Sequence, residues 1–148
     1  MSPPSARSRI LLVEDETINR DLIRAALSRA RHPVLQDVDL IEVDSIAAAR
    51  ARLAELEIDL VLLDVQLSDG SGLTLAREIV QLGQPRPAIV ALSAGVLPEQ
   101  RAAADEAGCD SFLAKPVSMT TLYDELATLL SRAQAVRAAG SAGDAPDR

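Results

Sequence analysis

Short apolar runs and helical patterns alternate five times along this chain, and that alternation restricts its possible folds more than any other feature. The runs "RILLV" (9–13), "DLIEV" (39–43), "LVLL" (60–63), "AIVALS" (88–93) and "SFLA" (111–114) read as strands. "LVLL", and "ILLV" within "RILLV", hold no polar residue, as expected of strands covered on both faces. Between them, "ETINRDLIRAALSRA" (16–30) places Ile18, Leu22, Ile23, Ala26 and Leu27 at helical spacing, with Thr17 as a candidate cap. "SIAAARARLAEL" (45–56), "GLTLAREIVQL" (72–82), "PEQRAAADEAG" (98–108) and "SMTTLYDELATLLSRAQAV" (118–136) complete the set of helices. The fourth carries Pro first and Gly last, the usual polarity of helix ends. Strands that alternate with helices in this way imply βαβ units, hence an α/β fold with a parallel sheet and helices on both faces.

Such sheets bind ligands outside the carboxyl ends of their strands. Glu14 and Asp15 lie just past the first strand, Asp64 sits directly on the third, Ser93 ends the fourth and Lys115 follows the fifth. Taken singly, each has an ordinary explanation. Asp suits a strand-end turn because it bonds its own backbone, and two acids suit the positive end of the next helix. Together, five polar residues from four strands converge on one edge of the sheet.

Three carboxylates at one edge repel each other, by roughly 4 kcal/mol for two charges 4 Å apart at an effective dielectric near 20. A divalent cation relieves that repulsion, and hard oxygen donors suit Mg²⁺. A site with few carboxylates leaves open positions through which the ion can draw in a phosphate. Lys115 adds a movable positive charge and Ser93 a hydroxyl donor, so the group reads as a phosphoryl-transfer site with Asp64 as the nucleophile.

Composition removes several competing classes. The 148 residues suffice for one domain with a real core, and one Phe and one Tyr make that core aliphatic. A net charge of −7 argues against a general nucleic-acid surface. There is no apolar run long enough to span a membrane, no signal-peptide pattern at the N-terminus, and only Cys109 for disulfide chemistry, so a cytoplasmic location is expected. "GSGLTL" follows a strand as a dinucleotide fingerprint would, but Leu75 occupies its third glycine position. The single His32 makes a zinc site or a Ser-His-Asp triad unpersuasive.

The pieces "ILLVEDETINR", "LVLLDVQLSDGSG", "IVALSAG" and "AGCDSFLAKPVS" occur in the order found in the receiver domain of bacterial two-component response regulators, which the chain resembles over about residues 8 to 135. The resemblance implies a flavodoxin-like, doubly wound five-stranded sheet of order 2-1-3-4-5 with five helices. It implies that Asp64 accepts a phosphoryl group, that Asp15, Asp64 and the backbone carbonyl of Gln66 hold Mg²⁺, and that Glu14 acts through metal-bound water. Lys115 would pair with the phosphoryl group, Ser93 would hydrogen-bond it, and Phe112 would be the switch aromatic. Pro116 matches a Lys-Pro pair whose bond is often cis. Two positions depart from the pattern. Ser68 stands where proline is common, which suggests a looser loop, and "RARHPVLQDVDLIEV" is longer than usual, as a connection or as a partner contact.

The expected organisation is a flexible segment at 1–7, a receiver domain at 8–135 and a flexible tail at 136–148, with no output domain. The expected function is a signalling switch rather than an enzyme, catalysing only its own phosphorylation and dephosphorylation. Its expected partners are a histidine kinase or histidine phosphotransfer protein and a downstream protein target, with no DNA or membrane contact; a homodimer stays open. The alternative is a phosphorylation-independent interaction module of the same fold, which predicts decay of the site residues. A metal-dependent phosphatase would need a cap insertion that these short connections do not hold.

Overall fold

The structure, a computed structural model, describes the backbone of residues 7–83, 85–95 and 97–143, and the side chains among them up to residue 135. Its strands are β1 (Ser8–Val13), β2 (Val38–Val43), β3 (Leu60–Asp64), the two-residue pair β4 (Gln66–Leu67) and β5 (Gly70–Ser71), β6 (Ala88–Ser93) and β7 (Ser111–Ala114). Its helices are α1 (Thr17–Ser28), α2 (Ile46–Glu55), α3 (Gly72–Gln81), α4 (Pro98–Glu106) and α5 (Met119–Gly143). The five long strands pair in parallel in the order β2-β1-β3-β6-β7, which is 2-1-3-4-5 once the short β4–β5 ladder is set aside. This is the doubly wound, flavodoxin-like order expected, and its reversal beside β1 and β3 leaves a crevice at their carboxyl ends.

The two-residue period of the strands divides the core. Ile10, Leu12, Leu60, Leu62, Val90 and Leu92 pack on one face against α1 and α5. Leu11, Val13, Val61, Leu63, Ile89 and Ala91 pack on the other against α2, α3 and α4. The inner strand residues are fully buried on both faces, so the chain writes them as unbroken aliphatic runs.

Several local expectations are corrected. Thr17 is the first residue of α1 rather than its cap; Glu16 holds the cap position without a side-chain cap bond. Ile18 and Leu22 are 72% and 60% exposed, because they lie on the stripe beside the one that buries Ala26 and Leu27. The five apolar residues of this helix are wider than the face the sheet covers. The long segment after α1 forms a 3₁₀ turn, Pro33–Leu35, and drives Leu35 into the core on the α1–α5 side. The last helix, expected to end at residue 136, continues in its backbone to residue 143. Residues 1–6 and 144–148 lie outside the described residues. No helix among the described residues is long and apolar enough to cross a membrane.

Candidate functional site

The carboxyl end of β3 delivers Asp64 to the crevice with only 4% of its surface exposed. Its position is framed by hydrogen bonds of the neighbouring backbone: Val65 N–H donates to the Leu92 carbonyl at 2.9 Å, and Gly72 N–H to the Val65 carbonyl at 2.7 Å. A β-carbon on Gly72 would collide with the Asp64 carbonyl oxygen, so the chain can enter α3 this close to Asp64 only at a glycine.

Glu14 is fully buried at the end of β1, and Asp15 beside it is half-buried. One carboxylate oxygen from each of Glu14, Asp15 and Asp64 lies within 4.8 Å of the others. Lys115, the single lysine of the chain, reaches in after β7. Its Nζ donates to Asp64 Oδ2 at 3.0 Å and lies 3.0 Å from Glu14 Oε1. The second contact is an ion pair, and among the described residues the ammonium is the partner of this buried oxygen. Burial by itself pulls the Lys115 ammonium pKa down, and the two carboxylates more than reverse it, leaving the pKa above its ordinary value. The other oxygens are engaged locally: Glu14 Oε2 accepts from Glu16 N–H at 3.1 Å, and Asp64 Oδ1 from Gln66 N–H at 3.1 Å.

Ser93, buried at the end of β6, accepts from Gly95 N–H through Oγ at 3.1 Å, while its carbonyl accepts from Lys115 N–H at 2.8 Å. Phe112 is buried on β7, with the Arg101 guanidinium of α4 lying 4.9 Å above its ring centre. The Lys115–Pro116 bond is cis. Gln66 is exposed on β4 at the head of the loop after Asp64. The fold thus brings Glu14, Asp15, Asp64 and Lys115 into one cluster. Ser93 joins it through the backbone of Lys115, Gln66 through the Asp64 carboxylate, and Phe112 sits two residues before Ala114 on β7.

The model of the response regulator receiver domain family matches residues 10–127. This chain belongs to that family. The receiver is 42% identical over 114 residues to the two-component response regulator ORR41 of Oryza sativa, covering 77% of this chain and 87% of that protein. It is 33% identical over 129 residues to the sensor histidine kinase RcsC of Salmonella typhimurium, covering 87% of this chain but 13% of that protein. It spans 53% of a Picosynechococcus transcriptional regulatory relative, 33% identical over 134 residues. Among solved structures, the signal receiver domain of an HD domain-containing protein from Pseudomonas fluorescens superposes with a TM-score of 0.79 at 24% identity, covering 93% and 96% of the two chains. Receiver domains are signalling switches of two-component systems, and this one carries their sheet.

Sequence reasoning passed over three residues of this receiver's site. Arg20 on α1 donates through Nη1 to the Glu14 carbonyl at 2.7 Å and through Nη2 to Thr17 Oγ1 at 3.2 Å, which ties the acidic loop to the first turn of the helix. Asp69 and Gly72 brace the loop after Asp64. Gly72 had a signal, since "GSG" between a strand and a helix marks a close backbone approach. Arg20 and Asp69 had none, because an Arg in a helix and an Asp in a turn are the commonest surface residues. The chemistry of the remaining singled-out residues is modest. His32 is exposed, and burial pushes the half-buried Cys109 thiol up to about 11, away from reactivity.

Proposed function

We propose that this receiver accepts a phosphoryl group on Asp64 from a phosphohistidine of a histidine kinase or phosphotransfer protein, with Mg²⁺ in the acidic cluster, and so switches its contacts with a protein target. The observation that carries this reading is the shared cluster: a nearly buried nucleophile paired to a lone lysine, with two further carboxylates within 4.8 Å. Such a donor set fits a hard divalent ion, as does a buried Glu14 Oε1 that has the Lys115 ammonium beside it. Asp15, Asp64 and the Gln66 carbonyl would hold the ion, with Glu14 acting through its water. When bound, Mg²⁺ supplies charge neutralisation for the transferring phosphoryl group.

In the transfer itself, an Asp64 carboxylate oxygen forms a bond to phosphorus as the phosphorus–nitrogen bond of the donor breaks. The electron pair leaves with the donor imidazole. Lys115 then moves its ammonium from the carboxylate towards a phosphoryl oxygen, and Ser93 releases Gly95 to donate its hydroxyl to another. That movement on β6 is next to β7, where Phe112 would respond. The kinase names among the relatives support a histidine-based donor, and we place the domain itself at 8–135. A phosphorylation-independent module of the same fold would have no need to keep these charges together.

The test incubates the protein with a small phosphodonor, with and without Mg²⁺, and maps the adduct by mass spectrometry. A Mg²⁺-dependent adduct on Asp64 is expected. An adduct of wild-type yield in Asp64→Asn refutes the assignment.

A further inference from the structure

The loop between β3 and α3 bears Gln66, and its own secondary structure is a ladder of two residues on each side. So short a ladder does not hold its shape in water unaided. The loop has a base anchor in Gly72 N–H to the Val65 carbonyl, a second in Gln66 N–H to Asp64 Oδ1, and a third in the Leu67 side chain, which is buried in the core. The second anchor uses a nucleophile oxygen that a loaded site engages elsewhere. At the tip, the Asp69 carboxylate accepts from Ile46 N–H at 3.0 Å and from Ala47 N–H at 3.2 Å, the first two residues of α2. These donors hold its carboxyl below the usual carboxylate range.

Helix α2 does not need Asp69 to begin. Its own Ser45 accepts from Ala48 N–H at 3.1 Å, a side-chain cap on one of the first-turn N–H groups. The helix is in turn fixed by buried Ile46 and Ala49 and by the Arg50–Glu78 pair to α3 at 2.6 Å. The Asp69 bonds take up two more N–H groups of the first turn, and they give the loop a rigid post 22 and 23 positions away in sequence. The neighbouring position is Ser68, which leaves backbone freedom that a proline would have removed.

We propose that Asp69 is a positioning residue of the cation site: by bonding α2 from the loop after Asp64, it holds the Gln66 carbonyl at the acidic cluster. This rests on the proposed role of that cluster in binding Mg²⁺. Isothermal titration with MgCl₂, alongside thermal unfolding in its absence, compares wild type with Asp69→Ala, Asp69→Asn, Ser45→Ala and Asp15→Asn. Asp69→Ala weakens Mg²⁺ binding about tenfold, the lower end of what outer-shell partners of a metal contribute, and Asp69→Asn falls between it and wild type. Ser45→Ala lowers the unfolding temperature but binds Mg²⁺ as wild type does. Wild-type affinity in Asp69→Ala overturns the proposal. So does an equal loss in Ser45→Ala, because affinity would then follow the helix and not the loop. No saturable binding by wild type, or undiminished binding by Asp15→Asn, instead overturns the metal site on which the proposal stands.

Discussion

Replacing Lys115 by Met removes one cation from between two buried anions. Its Nζ lies 3.0 Å from both Glu14 Oε1 and Asp64 Oδ2, and the two carboxylate side chains are 0% and 6% exposed. At an effective dielectric near 20, each contact represents roughly 5 kcal/mol of attraction, offset by the cost of dehydrating the ions. Removing one partner of such a buried set typically costs about 3–5 kcal/mol, because the remaining charges stay buried and unpaired. The Lys115 side chain is 19% exposed, so water can partly fill in and the low end, about 3 kcal/mol, is expected. On the proposed role of the cluster, Mg²⁺ would supply the missing charge there, and the variant is expected to bind it more tightly than wild type. Urea unfolding followed by circular dichroism should show the full deficit in chelator and most of it recovered at saturating Mg²⁺, since a ligand of the folded state stabilises it by an amount that grows with the logarithm of its concentration over Kd. A loss below about 1 kcal/mol in chelator would mean that the carboxylates are not held as a buried charged group. Equal stabilisation of both proteins by Mg²⁺ would mean that the ion and the ammonium do not share a site.

Gly72→Ala places a methyl group against the Asp64 carbonyl, so α3 or the end of β3 has to shift; a loss of about 1–3 kcal/mol in chemical unfolding is expected, with weaker Mg²⁺ binding as the site distorts. A variant as stable as wild type with unchanged metal affinity refutes that close approach. Glu42 on β2 is hydrogen-bonded by Arg24 at 2.7 and 2.9 Å, which holds its carboxyl below the usual range against the opposing effect of burial. Its contribution is therefore present above the unfolded value of about 4.3 and lost as pH falls through the lower folded value. The gap in unfolding temperature between wild type and Glu42→Gln should be constant near neutrality and close on acidification; a gap that widens in acid contradicts the pairing.

The periodic signals in the sequence determined the layers of this receiver. Unbroken aliphatic runs specify strands buried on both faces, a 3.6-residue period specifies helices between them, and parallel pairing then places every strand's carboxyl end on one edge. Glu14, Asp15, Asp64, Ser93 and Lys115 were legible as a group for that reason alone, since each lies within a residue or two of a strand end. Phe112 and Gln66 were legible only through likeness to a family. Tertiary structure decided what depends on how separate elements dock. Ile18 and Leu22 face outward because the sheet covers a narrower stripe of α1 than its apolar residues span. Leu35 enters the core because the turn after α1 folds beneath α5. Arg101 lies over Phe112, and Asp69 reaches the start of α2, across gaps in sequence that carry no period. Local patterns encode which face of an element is apolar, but a hydrogen bond between a turn and a distant helix end exists only once packing has set the distance between them.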